Sequence, residues 1–180
     1  MIFREARKED AASIAELHAE SWRNAYRGIL PDAYLDGPII KDRISVWQER
    51  LASSQPERQF ILLAIAGDLL QGFVCVLLDE EPQRGACLDN LHVHHDRKRQ
   101  GLGRQLFARA AQWVATTEPA WPLHLWVFEH NNGAREFYDS LGGAIVEHSN
   151  KHIAGVDVPS VCYLWNDLTT IHKLTINNWV

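Results

Sequence analysis

The chain has 180 residues, 46% of them hydrophobic, with a formal net charge of −5 and three cysteines. A domain of this length buries a sizeable core, and an acidic whole draws in neither nucleic acid nor an anionic membrane. No apolar run reaches the roughly 20 residues of a membrane helix. The charged opening Met1-Ile2-Phe3-Arg4-Glu5 is unlike a secretory leader, and Cys75, Cys87 and Cys162 match no zinc spacing, so a cytoplasmic protein with reduced thiols is expected.

Residues 1–6 suit a short strand, and Asp10 can cap a helix whose apolar positions include Ile14, Leu17, Trp22 and Ala25. Gly28 and Pro31 end it. A second helical stretch, residues 32–51, is interrupted at Gly37-Pro38. Residues 60–66 and 73–78 are apolar runs joined through Gly67-Asp68, a hairpin covered on two faces. Residues 87–93 make a third strand, 101–116 a helix, 123–128 a strand and 131–141 a helix stopped by Gly142-Gly143. Residues 144–148 and 158–165 close the sheet. The pattern predicts one α/β domain over residues 1–168, with helices on both faces of a mixed, largely antiparallel sheet. Residues 169–180 form a tail with several possible fates, pairing with a second subunit in a homodimer among them.

Between the third strand and the following helix stands Arg97-Lys98-Arg99-Gln100-Gly101-Leu102-Gly103-Arg104. The first turn of a helix leaves N–H groups without partners, and the helix dipole makes that end partly positive. The four basic side chains of a chain that is acidic overall add charge to this anion site. No Walker loop fits, because no Gly-Lys-Ser/Thr occurs, and a dinucleotide fingerprint fails at Leu106, where its third glycine belongs.

The run Leu88-Asp89-Asn90-Leu91-His92-Val93-His94-His95-Asp96-Arg97-Lys98-Arg99-Gln100-Gly101-Leu102-Gly103 resembles the central motif of the GNAT N-acetyltransferase superfamily. Lys98 stands where Gln or Arg is usual, and His95 where Pro is usual. Asn131-Asn132-Gly133-Ala134-Arg135-Glu136-Phe137-Tyr138 resembles the family's second motif, and the likeness extends over residues 60–165. Residues 1–56 are similar to a bacterial subgroup more loosely, through Ser21-Trp22-Arg23-Asn24-Ala25-Tyr26-Arg27-Gly28-Ile29-Leu30-Pro31.

The resemblance implies acetyl-CoA as cofactor, with no metal, and an amine as acceptor, either a small molecule or a protein group. It places Leu91, His92 and Val93 along the pantetheine arm. Lys98, Arg99, Gln100, Gly101, Leu102, Gly103 and Arg104 surround the diphosphate, and Asn131, Ala134, Phe137 and Tyr138 complete the cofactor site. Tyr138 is implied as the acid that protonates the departing thiolate, and a Val93 amide as donor to the oxyanion. Trp22, Arg23 and Tyr26 are implied as acceptor walls, whereas Trp47 and Trp126 read as core. The base is open: the family's usual Glu position holds Cys87, leaving Asp89 first and His92 second, with Asn90 and His124 as further candidates.

Two rival readings stand beside this one. His92-Val93-His94-His95-Asp96-Arg97 is one residue short of His-x-His-x-Asp-His, so His92, His94 and Asp96 would be zinc ligands of a hydrolase; Arg97 cannot complete that set. Cys87 supports the other, a module that binds acetyl-CoA without turnover.

Overall fold

A computed structural model describes residues 1–52, 55–169 and 171. Seven strands form one sheet: β1 (Ile2–Glu5), β2 (Gln59–Ala66), β3 (Leu69–Leu77), β4 (Ala86–Val93), β5 (Leu123–Phe128), β6 (Ala144–Ile153) and β7 (Val156–Trp165). Their order is β1-β2-β3-β4-β5-β7-β6. Every neighbouring pair is antiparallel except β4 with β5. The helices are α1 (Ala11–Ala25), α2 (Asp32–Leu35), α3 (Ile39–Leu51), α4 (Leu102–Thr117) and α5 (Asn132–Ser140). This is the mixed α/β architecture expected from the sequence.

The nearly unbroken apolar runs of β2 and β3 follow from burial on both faces. Ile61, Leu63, Phe73 and Cys75 turn to one side and pack against Ile14, Leu17 and Trp47 of α1 and α3. Leu62, Ala64, Val74 and Val76 turn to the other and meet Leu106, Phe107 and Val114 of α4, with Tyr138 of α5 in the same core. A third cluster joins Ala19 of α1 to Leu35, Ile39 and Phe128. Among the described residues no helix is long and apolar enough to cross a membrane.

Two local expectations change. Asp10 does stand immediately before α1, but its side chain makes no cap bond. Its carboxylate instead takes both Arg4 guanidinium donors at 2.7 Å and the Arg7 amide at 2.7 Å, because a bidentate charged partner on β1 outcompetes a neutral amide. At the other end, Leu168 and Ile171 are buried in the main core, so the described chain packs past residue 168. The expected tail otherwise lies outside the described residues.

The feature that positions the site is the parting of β4 from β5. Pairing runs only through Ala86↔Leu123 and Cys87↔His124, and beyond it the two parallel strands diverge. The register of β4 against β3 also slips there, from Val76↔Leu88 to Cys75↔Asn90, which leaves Asp89 as a bulge. The joined end is tight. The Ala86 amide donates to the Pro122 carbonyl at 3.0 Å, and a Cβ on Gly85 would stand 2.4 Å from that same oxygen. Gly85 also sits at φ +90°, which L side chains rarely adopt. Gly85→Ala is expected to lower unfolding stability by about 3 kcal/mol, from the summed costs of positive φ and overpacking, measured by urea denaturation with the slope unchanged.

Candidate active site

The parted strands open a cleft of about 890 Å³ on the α4–α5 side, walled by Leu88–Val93 and by Leu125, Trp126 and Val127. A second cavity of about 220 Å³ lies towards α1 and the loop before β4. Asp89, Asn90, His92, Trp126 and Tyr26 line both, so the two spaces meet across the gap in the sheet.

The large cleft ends on the basic turn. Arg99 at φ +60° and Gly101 at φ +81° alternate with residues of negative φ, which curls successive amides into an anion-binding concavity in front of α4. A Cβ at Gly101 would meet nothing within 4 Å, so the space before the helix is open. Gly103 packs its α-carbon side against Phe137 and Val93, 3.5 and 3.7 Å from a Cβ built there. Lys98, Arg99, Gly101, Gly103 and Arg104 line the cleft together with Arg97. Gln100 and Leu102 do not: the Gln100 amide donates back to the Asp96 carbonyl at 2.7 Å, and Leu102 is buried in the core. Only their backbone faces remain for a ligand of the turn.

The strand supplies donors as well. The His94 amide donates to the Gln71 carbonyl of β3 at 2.8 Å. Alternation then turns the Val93 and Leu91 amides the other way, to the side where β5 has withdrawn. Opposite them, Asn131 precedes α5 and its side chain accepts from the Ala134 amide at 3.3 Å. Asn131 and Tyr26 line the cleft together, an expected cofactor residue beside an expected acceptor residue. Ala134, Phe137 and Tyr138 line the same cleft. Burial pushes the Tyr138 phenol up, which keeps it protonated and able to donate.

The chain belongs to the GNAT acetyltransferase family. The family model, acetyltransferase (GNAT) family, matches residues 12–142. The uncharacterized N-acetyltransferase YuaI of Bacillus subtilis (strain 168) is 30% identical over 171 residues, 95% of this chain and 96% of that one. The probable N-acetyltransferase Rv2775 of Mycobacterium tuberculosis (strain ATCC 25618 / H37Rv) is 28% identical, covering 89% and 90%. Among solved structures, the fold is similar to that of the PaiA N-acetyltransferase of Thermoplasma acidophilum in complex with coenzyme A, with a TM-score of 0.71 at 21% identity over 89% of this chain and 96% of that one. It is also similar to YncA of Salmonella typhimurium with acetyl-CoA, with a TM-score of 0.67 at 17% identity over 92% and 93%. The protein is therefore an N-acetyltransferase.

Towards α1 of this acetyltransferase, Trp22 and Tyr26 stack edge to face at 5.2 Å and line the smaller cavity. Arg23 does not join them. One residue past Trp22 the helix has turned by about 100°, and the Arg23 Nε donates instead to the Leu35 carbonyl at 2.9 Å, tying α1 to α2. Trp47 is fully buried, but Trp126 is no core residue. It lines both cavities, its indole N–H donates to Glu81 at 2.9 Å, and the Lys151 ammonium sits 4.4 Å from its ring centre. Glu80, Glu81, Phe128 and Lys151 also line the smaller cavity and carried no signal in the sequence.

The candidate bases come out differently from one another. Asp89 bulges at the junction of the cavities, with its carboxylate 2.5 Å from Arg50 and bonded by the Asn90 amide. His92 lies at the same junction, 4.5 Å ring to ring from the buried His18, and burial beside Lys98 and Arg43 pushes it down to about 3. A ring so weakly basic accepts hydrogen bonds but holds no proton near neutral pH. His124 is fully buried and lines neither cavity. Cys87 is buried and pushed up, a neutral thiol. His92 packs against His18 and Phe73, and no metal-binding group among the described residues unites it with His94 and Asp96.

His18 is held by the Trp47 indole N–H, which donates to its Nδ1 at 3.0 Å. Burial lowers His18 well below the usual histidine value, with His92, Arg43 and Arg50 adding to the effect. A histidine kept neutral in the fold but free to charge when unfolded removes stability as pH falls below its unfolded value of about 6.5. As pH falls from 6.5 towards 5, His18 should lower stability with a slope that rises to at most about 1.4 kcal/mol per pH unit. Chemical denaturation across that range checks the slope, and the His18 ring resonances should stay those of the neutral form throughout.

Proposed function

We propose that this N-acetyltransferase moves an acetyl group from acetyl-CoA to a primary amine by direct attack in a ternary complex. One observation carries the reading: a cleft ending in a basic, glycine-containing amide turn meets an acid- and aromatic-lined cavity at Asp89–His92. PaiA and YncA, of similar fold, are bound to coenzyme A and acetyl-CoA.

The diphosphate lies on the amides of residues 98–103, with Arg97, Lys98, Arg99 and Arg104 around it. The pantetheine arm runs beside β4 and bonds the outward-facing Leu91 and Val93 backbone. The Val93 amide steadies the tetrahedral oxyanion. The amine enters by the smaller cavity, where Trp22, Tyr26 and Trp126 present ring faces to it. Desolvation there favours the neutral amine that attack requires, and the Asp89 carboxylate, open at the junction, takes the proton through water. The nitrogen forms its bond to the carbonyl carbon, the C–S bond breaks, and the thiolate takes a hydrogen bond and then the proton from Tyr138. His92 stays neutral and serves as hydrogen-bond acceptor. The buried Cys87 thiol supports the second reading, cofactor binding without turnover. A screen of amine classes with acetyl-CoA, read by thiol release, separates the two; calorimetric binding with no turnover on any amine would select the non-catalytic module.

Two variants test the parts. Gly101→Glu places a carboxylate in the open anion site and should weaken acetyl-CoA binding at least 100-fold by calorimetry, while positive φ costs only about 1–2 kcal/mol of stability. Tyr138→Phe should lower kcat about 100-fold, the scale of a lost general acid, with acetyl-CoA affinity changed less than threefold.

A further inference from the structure

The run of histidines after β4 is not used by the acetyl-transfer site. His94, His95 and Asp96 face away from both cavities, towards the second half of α1. There Glu20 meets them across 75 residues of sequence: its Oε1 is 2.8 Å from His95 Nδ1 and 4.0 Å from His94 Nε2. One ligand atom from each of the three residues lies within 4.8 Å of the others. Zinc bound at about 2.0–2.1 Å in a tetrahedron separates its ligand atoms by about 3.4 Å, a spacing that the two measured distances bracket.

The surroundings of His95 point the same way. If His95 turns Nδ1 and His94 turns Nε2 to a common centre, their outer nitrogens are His95 Nε2 and His94 Nδ1. The first faces a carboxylate, with Asp96 Oδ1 3.1 Å from His95 Nε2, and the second stands 3.4 Å from the Asp96 backbone amide. Ligating histidines characteristically donate the other ring N–H to a carboxylate, which fixes the tautomer. A simple surface ion pair between Glu20 and His95 would not require His94 to present its inner nitrogen to the same oxygen.

We propose that Glu20, His94 and His95 bind a divalent zinc-class ion, with the Asp96 carboxylate orienting the His95 imidazole and water in the fourth position. Two imidazoles and a single carboxylate suit zinc or cobalt; magnesium and calcium prefer all-oxygen shells. The ion ties α1, which carries Trp22 and Tyr26, to the loop that leads into the cofactor turn. Its role is to fasten two elements, and it stands outside the reacting groups. It is a different ligand set from His92, His94 and Asp96, and it goes beyond the acetyl-transfer reading without depending on it.

Untagged protein stripped with a chelator should take up one Zn²⁺ per chain in calorimetric titration, and Co²⁺ should give the visible absorption of a low-symmetry site. Glu20→Gln and His95→Ala should each weaken Zn²⁺ binding at least tenfold. Asp96→Asn removes no ligand, only the carboxylate that faces His95 Nε2, and should weaken binding about tenfold; it keeps the test decisive should a ligand variant fail to fold. His152→Ala, an exposed histidine on β6 paired with Asp157, should change nothing. Absence of saturable Zn²⁺ binding, or binding undiminished in Glu20→Gln and His95→Ala, overturns the site. Acetyl-CoA titration of the stripped protein reports on the cofactor turn alone, so failure of one claim is distinguishable from failure of the other.

Discussion

The parting of two parallel strands after two paired positions is the constraint on which this molecule rests. A sheet normally satisfies each strand's amides with its neighbour. Here β4 keeps its β3 partner and gives up β5 beyond Cys87 and His124. The Val93 and Leu91 amides are left on the inner edge of a gap, where an extended, hydrogen-bonding molecule can take the place of the missing strand. The bulge at Asp89 falls at the same level, so the loss of pairing and the change of side-chain direction occur together. The cavity is thus built from backbone first, and side chains decorate it.

Burial then sets the character of the groups around the gap. His18, Trp47 and Phe73 form a dry wall behind His92, and that wall makes His92 a neutral acceptor. The Asp89 carboxylate pairs with Arg50 at 2.5 Å, and Arg50 itself lies over the Trp47 ring. On the far side, Tyr138 packs among Phe107, Phe137, Tyr163 and Trp165 and remains a phenol. Neutral donors and acceptors on one side and a screened carboxylate on the other suit a reaction in which an uncharged amine meets an uncharged thioester.

The element order and the basic glycine turn before α4 were legible because both are local. Apolar runs on β2 and β3, glycines at residues 101 and 103 and a helix start after basic residues need no knowledge of distant parts. Trp22 and Tyr26 were legible through helical spacing, and Arg23 was misplaced by adjacency in sequence, since the helix had already carried it round to Leu35. The smaller cavity was mostly hidden. Trp126 sits in an apolar run that reads as an ordinary buried strand, and only the gap in the sheet exposes it. Glu81 and Lys151 reach it from separate elements, 45 and 25 residues away in the chain. Glu20 is likewise brought to His94 and His95 only by the packing of α1 across the sheet.

Geometrically, β4 and β5 form a fork with Gly85 at its closed end. From the last pair at Cys87 to Val93 the parted length of β4 runs six residues, about 20 Å at 3.3 Å each, and β3 holds its other edge throughout. Gly85 is two residues behind the fork, pressed against the Pro122 carbonyl. The mouth therefore opens from a base that is closed by a position touching neither cavity.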